Sequence, residues 1–250
     1  LWLRTGGAAT LRLTLSSELS LQDDARCALE FLQQLQAIRP ITTLSSHIVR
    51  ETHLPARPDW LSLVSQATDA IARGEFEKVV LARATDLQFD QRVTAIALMA
   101  ASRRINHNCY HFCMMFDAQN AFMGSSPERL WRRRGKRLRT EALAGTVASH
   151  ADDAQSHRLG EWLLNDDKNQ RENMLVVEDI CQRLQHHTQA LEVLPAQIVR
   201  LRKVQHLRRC IWTELKTADD EQCLHLLQPT AAVAGLPRDP ARGFILRKEP

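Results

Sequence analysis

A lysine in an apolar strand and, fifty residues further on, a glutamate in a small-residue segment have the types and surroundings that acid–base chemistry needs. Lys78 lies in Glu77-Lys78-Val79-Val80-Leu81-Ala82-Arg83-Ala84, and Glu128 closes Gly124-Ser125-Ser126-Pro127-Glu128. A strand sends alternate side chains to opposite faces, so Lys78 shares its face with Val80, Ala82 and Ala84 while Glu77 and Arg83 point the other way. Desolvation in that company disfavours the ammonium form and lowers the pKa, which makes a lysine usable as a general base near neutral pH. The same segment also reads as a strand-end lysine that snorkels to water.

Three further segments carry groups of interest. Arg139-Thr140-Glu141-Ala142-Leu143-Ala144-Gly145-Thr146 is an apolar strand running into a small-residue turn where a backbone can approach a ligand. Lys168-Asn169-Gln170-Arg171-Glu172-Asn173 opens a long helix, and Glu172, read as a first-turn residue near the positive helix end, offers oxygen to a hard cation. Gln228-Pro229-Thr230-Ala231-Ala232-Val233-Ala234-Gly235-Leu236-Pro237 is a second small-residue loop. Taken singly, Glu128 also reads as a surface acid, Glu172 as an ordinary helix acid and the glycine loops as turns.

The elements that position these groups follow from periodicity. Leu11, Leu13 and Leu15 alternate with polar residues as in a half-buried strand, and Leu21, Ala25, Ala28, Leu29, Leu32 and Leu35 recur at helical spacing until Pro40. The stretch from Pro40 to Pro58 reads as irregular. Trp60, Val64, Ala67 and Ile71 mark a second helix, capped by Asp59 and ended by Gly74. An Ala- and Leu-rich helix is expected over 93–106, then strands over 110–116, 121–124, 129–133 and 137–140, with a hairpin tip at Gly135. Asn173, Val176, Val177, Ile180 and Leu184 line one stripe of the long helix. Helices interspersed with a strand meander, and no GxGxxG opening a helix after a strand, predict an α+β sandwich and argue against a Rossmann sheet.

Composition narrows the function classes. The chain has 250 residues, 44% of them hydrophobic, enough to bury a sizeable core, and one domain is expected. No apolar run is long enough to span a bilayer and no charged-then-apolar leader is present, so a soluble cytoplasmic protein without a membrane partner is expected. A balance of 33 Lys+Arg against 29 Asp+Glu gives +4, too weak to argue for nucleic acid, and the basic run Arg132-Arg133-Arg134-Gly135-Lys136-Arg137 reads as a solvated hairpin tip. Six cysteines without zinc spacing read as reduced, mostly buried thiols, Cys109 and Cys113 sharing one face of a strand.

In order, KVVLAR from Lys78, SSPERL, TEALAGT, KNQRENMLVVEDI, VQHL and QPTAAVAGLP resemble the motifs of the chorismate-utilising enzymes over most of the chain. Among them the likeness is strongest to menaquinone-pathway isochorismate synthases of enteric bacteria. The resemblance implies an anthranilate-synthase-like α/β sandwich, of which residues 1–250 form a partial chorismate-binding domain with amino- and carboxy-terminal segments missing. It implies a reversible, Mg2+-dependent conversion of chorismate to isochorismate, with water entering at C2 as the C4 hydroxyl leaves.

By the same resemblance Lys78 is the general base, Glu128 the general acid that protonates the departing hydroxyl, and Glu172 a Mg2+ ligand. Gly145 and Thr146 match a substrate-contacting turn, His206 a pocket position that also reads as a hydrogen-bonded core histidine, and Ala232 and Val233 the lining of the ring site. Relatives that use ammonia carry a different residue in place of Lys78, so no obligatory glutaminase subunit is expected. The chain departs from the family at Gln228-Pro229-Thr230-Ala231, where relatives often have His-Pro-Thr-Pro, and further segments of the family supply another Mg2+ ligand. Salicylate synthase, which keeps the lysine, and a truncated copy without activity are the alternative readings.

Overall fold

The computed structural model describes residues 2–5, 8–11, 20–35, 40–41 and 45–249, in two compact units, 1–42 and 43–250. In the first unit, β1 (Trp2–Thr5) pairs antiparallel with β2 (Ala8–Leu11). Helix α1 (Leu21–Gln33) starts at Ser20, whose hydroxyl accepts the Asp23 amide. Of the strand expected through Leu15, Leu11 ends β2, while Leu13 and Leu15 lie outside the described residues.

The second unit runs through β3 (Ile48–Leu54), α2 (Arg57–Ala72), β4 (Lys78–Val79), β5 (Ala84–Phe89), α3 (Ala95–Ile105), β6 (Tyr110–Met115), β7 (Ala121–Ser126), β8 (Arg132–Arg134) and β9 (Arg137–Ala148). It continues through α4 (Asp153–Asn165), α5 (Asp167–Leu184), a 3-10 turn (Gln185–His187), β10 (Thr188–Val193), β11 (Gln197–Arg200), β12 (Val204–Leu215), α6 (Asp220–Leu227), β13 (Gly235–Leu236) and α7 (Arg238–Lys248). Every strand pairing among the described residues is antiparallel, which agrees with the α+β expectation.

The main sheet orders its strands β10-β12-β9-β8, with β11 also on β12. Strands β9 and β12 are its long members because alternate residues bury: Leu138, Thr140, Ala142 and Ala144 share one face with Leu207, Ile211 and Leu215 across the register. Helix α5 covers that face. Asp166 caps it, accepting the Asn169 amide at 3.0 Å, and Asn169, Asn173, Val176, Val177, Ile180 and Leu184 form its buried stripe. At β8–β9 the hairpin tip falls where expected, Gly135 at φ +57° opening a two-residue turn between Arg134 and Arg137.

A second cluster joins α2, Phe76 and α7 through Leu63, Ala67, Ala70, Ala241 and Phe244, the rings of Phe76 and Phe244 meeting edge-on at 5.2 Å. The buried face of α2 is thus Leu63, Ala67 and Ala70, offset from the expected stripe, in which Val64 and Ile71 are exposed. Asp59 does not cap α2. Ala56 sits at the N-cap with no side-chain bond, and Asp59 lies in the first turn. Residues 48–54, expected to be irregular, form β3 against β5. All six cysteines are free, yet only Cys210 and Cys223 are buried, while Cys27 and Cys113 are exposed.

Candidate active site

The lysine strand is shorter than its apolar run implies. β4 comprises only Lys78 and Val79, paired with Leu236 and Gly235 of β13, and flanking backbone bonds run from Glu77 N to Leu236 O and from Val80 N to Ala234 O. Beyond Val80 the chain leaves this pairing, Val79 and Leu81 pack against the second apolar cluster, and Ala84 begins β5. Lys78 is half-buried, and its Nζ donates to the Ala231 carbonyl at 2.6 Å.

That carbonyl is held from behind. The Ala231 amide donates to Asp179 Oδ2 at 3.0 Å, and Asp179, itself buried, pairs through Oδ1 with Arg183 at 2.6 Å. Arg183 also donates to the carbonyls of Leu226 and Pro229, at 3.2 and 2.9 Å. Two turns of α5 thereby fix the loop that receives the lysine. Glu172 and Asp179 lie seven residues apart on α5, hence on one stripe, and both carboxylates act on Lys78. Burial lowers the Lys78 pKa; the charges of Glu172, Glu128 and Asp179 oppose the shift.

Glu128 arrives from β7. Ser125 is anchored to α3 and β6, its Oγ 2.7 Å from Ser102 Oγ and 2.8 Å from His111 Nδ1. The segment after it is pinned to β9: the Arg129 amide donates to Glu141 Oε1 at 3.0 Å and Thr140 Oγ1 to the Leu130 carbonyl at 2.6 Å. Burial pushes the half-buried Glu128 carboxyl above the usual range, the charge of Glu141 adds to this, and Lys78 opposes it. The lysine and the glutamate thus act on each other directly while burial biases each toward its neutral form.

Thr146 and His206 face each other across β9 and β12, with Thr146 Oγ1 2.9 Å from His206 Nδ1. Burial holds the imidazole below its ordinary pKa, against a hydrogen bond with the Gly145 backbone. Gly145 sits at φ +86°, and a Cβ there would press to 3.2 Å on Asn169, whose Oδ1 accepts the Thr146 amide at 3.3 Å. Glu172 stands one turn of α5 beyond Asn169. It lies in the second turn, not the first, because the helix begins at Asp167. Ala232 is half-buried against the main core and Val233 is 49% exposed.

Residues 4–250 match the family model described as chorismate binding enzyme. The chain belongs to that family. It is 68% identical over 249 residues to the isochorismate synthase MenF of Escherichia coli, which spans all of this chain and 58% of the relative. It is 39% identical over 229 residues to the isochorismate synthase MenF of Pasteurella multocida, 91% of this chain and 53% of the relative. The solved structure of the menaquinone-specific isochorismate synthase of E. coli superposes with a TM-score of 0.93 over 99% of this chain, at 67% identity. An anthranilate synthase component I from Streptococcus pneumoniae shares the fold at 21% identity, with a TM-score of 0.73. The chain therefore spans somewhat more than half the length of the relatives it matches, 58% of the E. coli protein.

Within this chorismate-binding fold Lys78, Glu128 and Glu172 form one electrostatic group, and Gly145, Thr146 and His206 form one hydrogen-bonded group, the two sharing α5. Asp179 and Glu141, which hold the segments next to Lys78 and Glu128, are not singled out by the sequence. Their only sequence signal is an acid inside an apolar stripe, as in Val176-Val177-Glu178-Asp179-Ile180, and an acid inside an apolar strand, as at Glu141. Among the described residues no helix is long and apolar enough to cross a membrane.

Proposed function

We propose that this chain carries the acid–base centre of an isochorismate synthase, converting chorismate to isochorismate in the route to menaquinone. The observation that carries the reading is the pair itself: a half-buried lysine fixed on the Ala231 carbonyl at 2.6 Å and a half-buried glutamate whose segment is tied to β9, with burial favouring the neutral form of each. Neutral Lys78 takes a proton from the water that bonds to C2 of the ring. The ring double bonds shift, the C4–O bond breaks, and Glu128 gives its proton to the departing oxygen, which leaves as water. Hydroxide is a poor leaving group and water a poor nucleophile, so both transfers are needed. Gly145 and Thr146, with neutral His206, offer hydrogen bonds to the substrate, and Ala232 and Val233 line its ring.

Mg2+ suits the donors present. Among the described residues the Glu172 carboxylate has no hydrogen-bond donor, and no group of three or more His, Cys, Asp or Glu side chains is placed to close a metal cage. A cation that keeps waters and binds through one or two carboxylates plus substrate oxygens needs no such cage. Glu172 would hold it, and when bound it would neutralise a substrate carboxylate. The protein is read as cytoplasmic, acting on a small molecule without a glutaminase subunit, since the lysine favours water over ammonia as nucleophile.

The test is chorismate incubated with the protein and Mg2+, products separated chromatographically. Isochorismate is expected, in equilibrium with chorismate from either side. Salicylate as the product would replace this reading with salicylate synthase, and unchanged chorismate in both directions would overturn it.

A further inference from the structure

We propose that Glu141 is a positioning residue for Glu128: it holds the segment that carries the acid and sets the polar surroundings in which that acid works. The proposal rests on the reading of Glu128 as the proton donor. Glu141 lies in β9 and is 4% exposed, on the sheet face turned away from the main core. Its two oxygens are used differently. Oε1 accepts the amide of Arg129, the residue next to the acid, at 3.0 Å. Oε2 is buried and has no hydrogen-bond partner among the described residues.

Holding the segment does not require a charge. Thr140 already pins the Leu130 carbonyl and Ser126 Oγ accepts the Glu128 amide at 3.2 Å, so an amide oxygen in place of the carboxylate would complete the same tether. A buried carboxyl with one oxygen unpartnered costs stability, and the tether alone leaves that cost without a use. Its basic neighbours on that face do not neutralise it by hydrogen bonding. Arg139, two residues back, gives Nη2 to Cys210 Sγ at 3.2 Å and stacks on Trp212 at 5.5 Å. Arg208, on the facing strand β12, gives Nη2 to Gln197 at 3.2 Å. Arg129 turns its own Nη2 to the Tyr110 hydroxyl. Arg129 Nη1, Arg139 Nε and Arg208 Nε are, like Oε2, buried without a hydrogen-bond partner among the described residues, and Glu128 is faced by Lys78 from β4 and by Glu141 from β9, with opposite effects.

Glu141→Gln separates charge from tether, because the amide oxygen still accepts the Arg129 N–H. The Glu128 carboxyl is followed by 13C NMR of labelled glutamate side chains, its signal assigned by its loss in Glu128→Gln. In Glu141→Gln the Glu128 midpoint is expected to move to lower pH. In the pH profile of chorismate turnover, whichever limb Glu128 governs moves to lower pH with it while the other limb stays. Thermal stability is expected to equal or exceed the wild type, where a purely structural role predicts loss of stability and an unmoved titration. Glu141→Ala removes tether and charge together and should lower kcat roughly ten- to hundredfold with little change in KM. A Glu128 titration unmoved by Glu141→Gln overturns the proposal. A wild type that fails to convert chorismate overturns the functional reading alone, and the NMR titration still decides whether Glu141 acts on Glu128.

Discussion

Replacing Gly235 by alanine tests whether close backbone packing sets the place of Lys78. Gly235 pairs with Val79 at φ +154°, and a Cβ added there would collide with the Lys78 carbonyl oxygen and stand 2.7 Å from Ala241 Cβ. The first of these atoms is backbone and the second belongs to the buried face of α7, so neither can yield by turning a side chain. Overpacking of this kind costs roughly 1–3 kcal/mol. A non-glycine residue in so sparsely populated a backbone region costs about 1–3 kcal/mol more. The expected loss is therefore roughly 2–6 kcal/mol, a large share of the ~5–15 kcal/mol that holds a typical domain. Gly74→Ala is the control: its φ is +74° and nothing lies within 4 Å of the added Cβ, leaving only a backbone cost of about 1–2 kcal/mol. Urea unfolding of both variants reads the difference, and chorismate turnover under native conditions reads the displacement of the lysine. Equal unfolding midpoints for the two variants, with full turnover in Gly235→Ala, would refute the claim that this packing positions Lys78.

Lys78→Met should abolish turnover and raise stability at neutral pH, because burial lowers the lysine's pKa; the gain shrinks as pH rises through that pKa and the wild-type amine loses its charge. Turnover near the wild-type rate would remove Lys78 from the mechanism. Glu128→Gln should block loss of the C4 hydroxyl; since the Glu128 pKa is raised above its unfolded value, urea midpoints of wild type and variant should be closest at low pH and diverge in the variant's favour as pH rises through it. Parallel midpoints across the pH series would contradict a desolvated carboxyl. Glu172→Gln should weaken Mg2+ roughly tenfold or more, read from the metal dependence of turnover, with the fold intact by circular dichroism; an unchanged metal dependence would place the ion elsewhere.

What could be read from the sequence was what periodicity and local chemistry determine. The α5 stripe from Asn173 to Leu184 and the Gly135 turn each follow from residues close in the chain. The lysine strand is shorter than Val80, Leu81 and Ala82 imply, because the partner strand β13 offers only Gly235 and Leu236 to pair with. The strand expected from Arg137 into a turn at Ala144-Gly145-Thr146 continues as β9 to Ala148, because β12 holds it extended and takes up the glycine beside a shift in register between His206 and Arg208. At the site, Lys78 and Glu128 were legible as types in context. Asp179 and Glu141 were not, since each acts through a peptide group 52 and 12 residues away in sequence respectively, and spacing within one segment carries no trace of such a contact.

The bond from Lys78 to Ala231 also bears on how the lysine works. A carbonyl oxygen only accepts, so the bond survives whether Nζ is an ammonium or a neutral amine, and deprotonation need not release the side chain. In the neutral amine one N–H stays on Ala231, which turns the lone pair away from the loop. Asp179 and Arg183 restrain that direction by holding the same residue through its amide N–H and the loop through the Pro229 carbonyl. The three nearby carboxylates would by themselves keep the lysine charged, and burial is the larger, opposing influence. In the proposed mechanism partial burial is therefore what would make a base of this lysine, and the fixed acceptor at Ala231 would aim it.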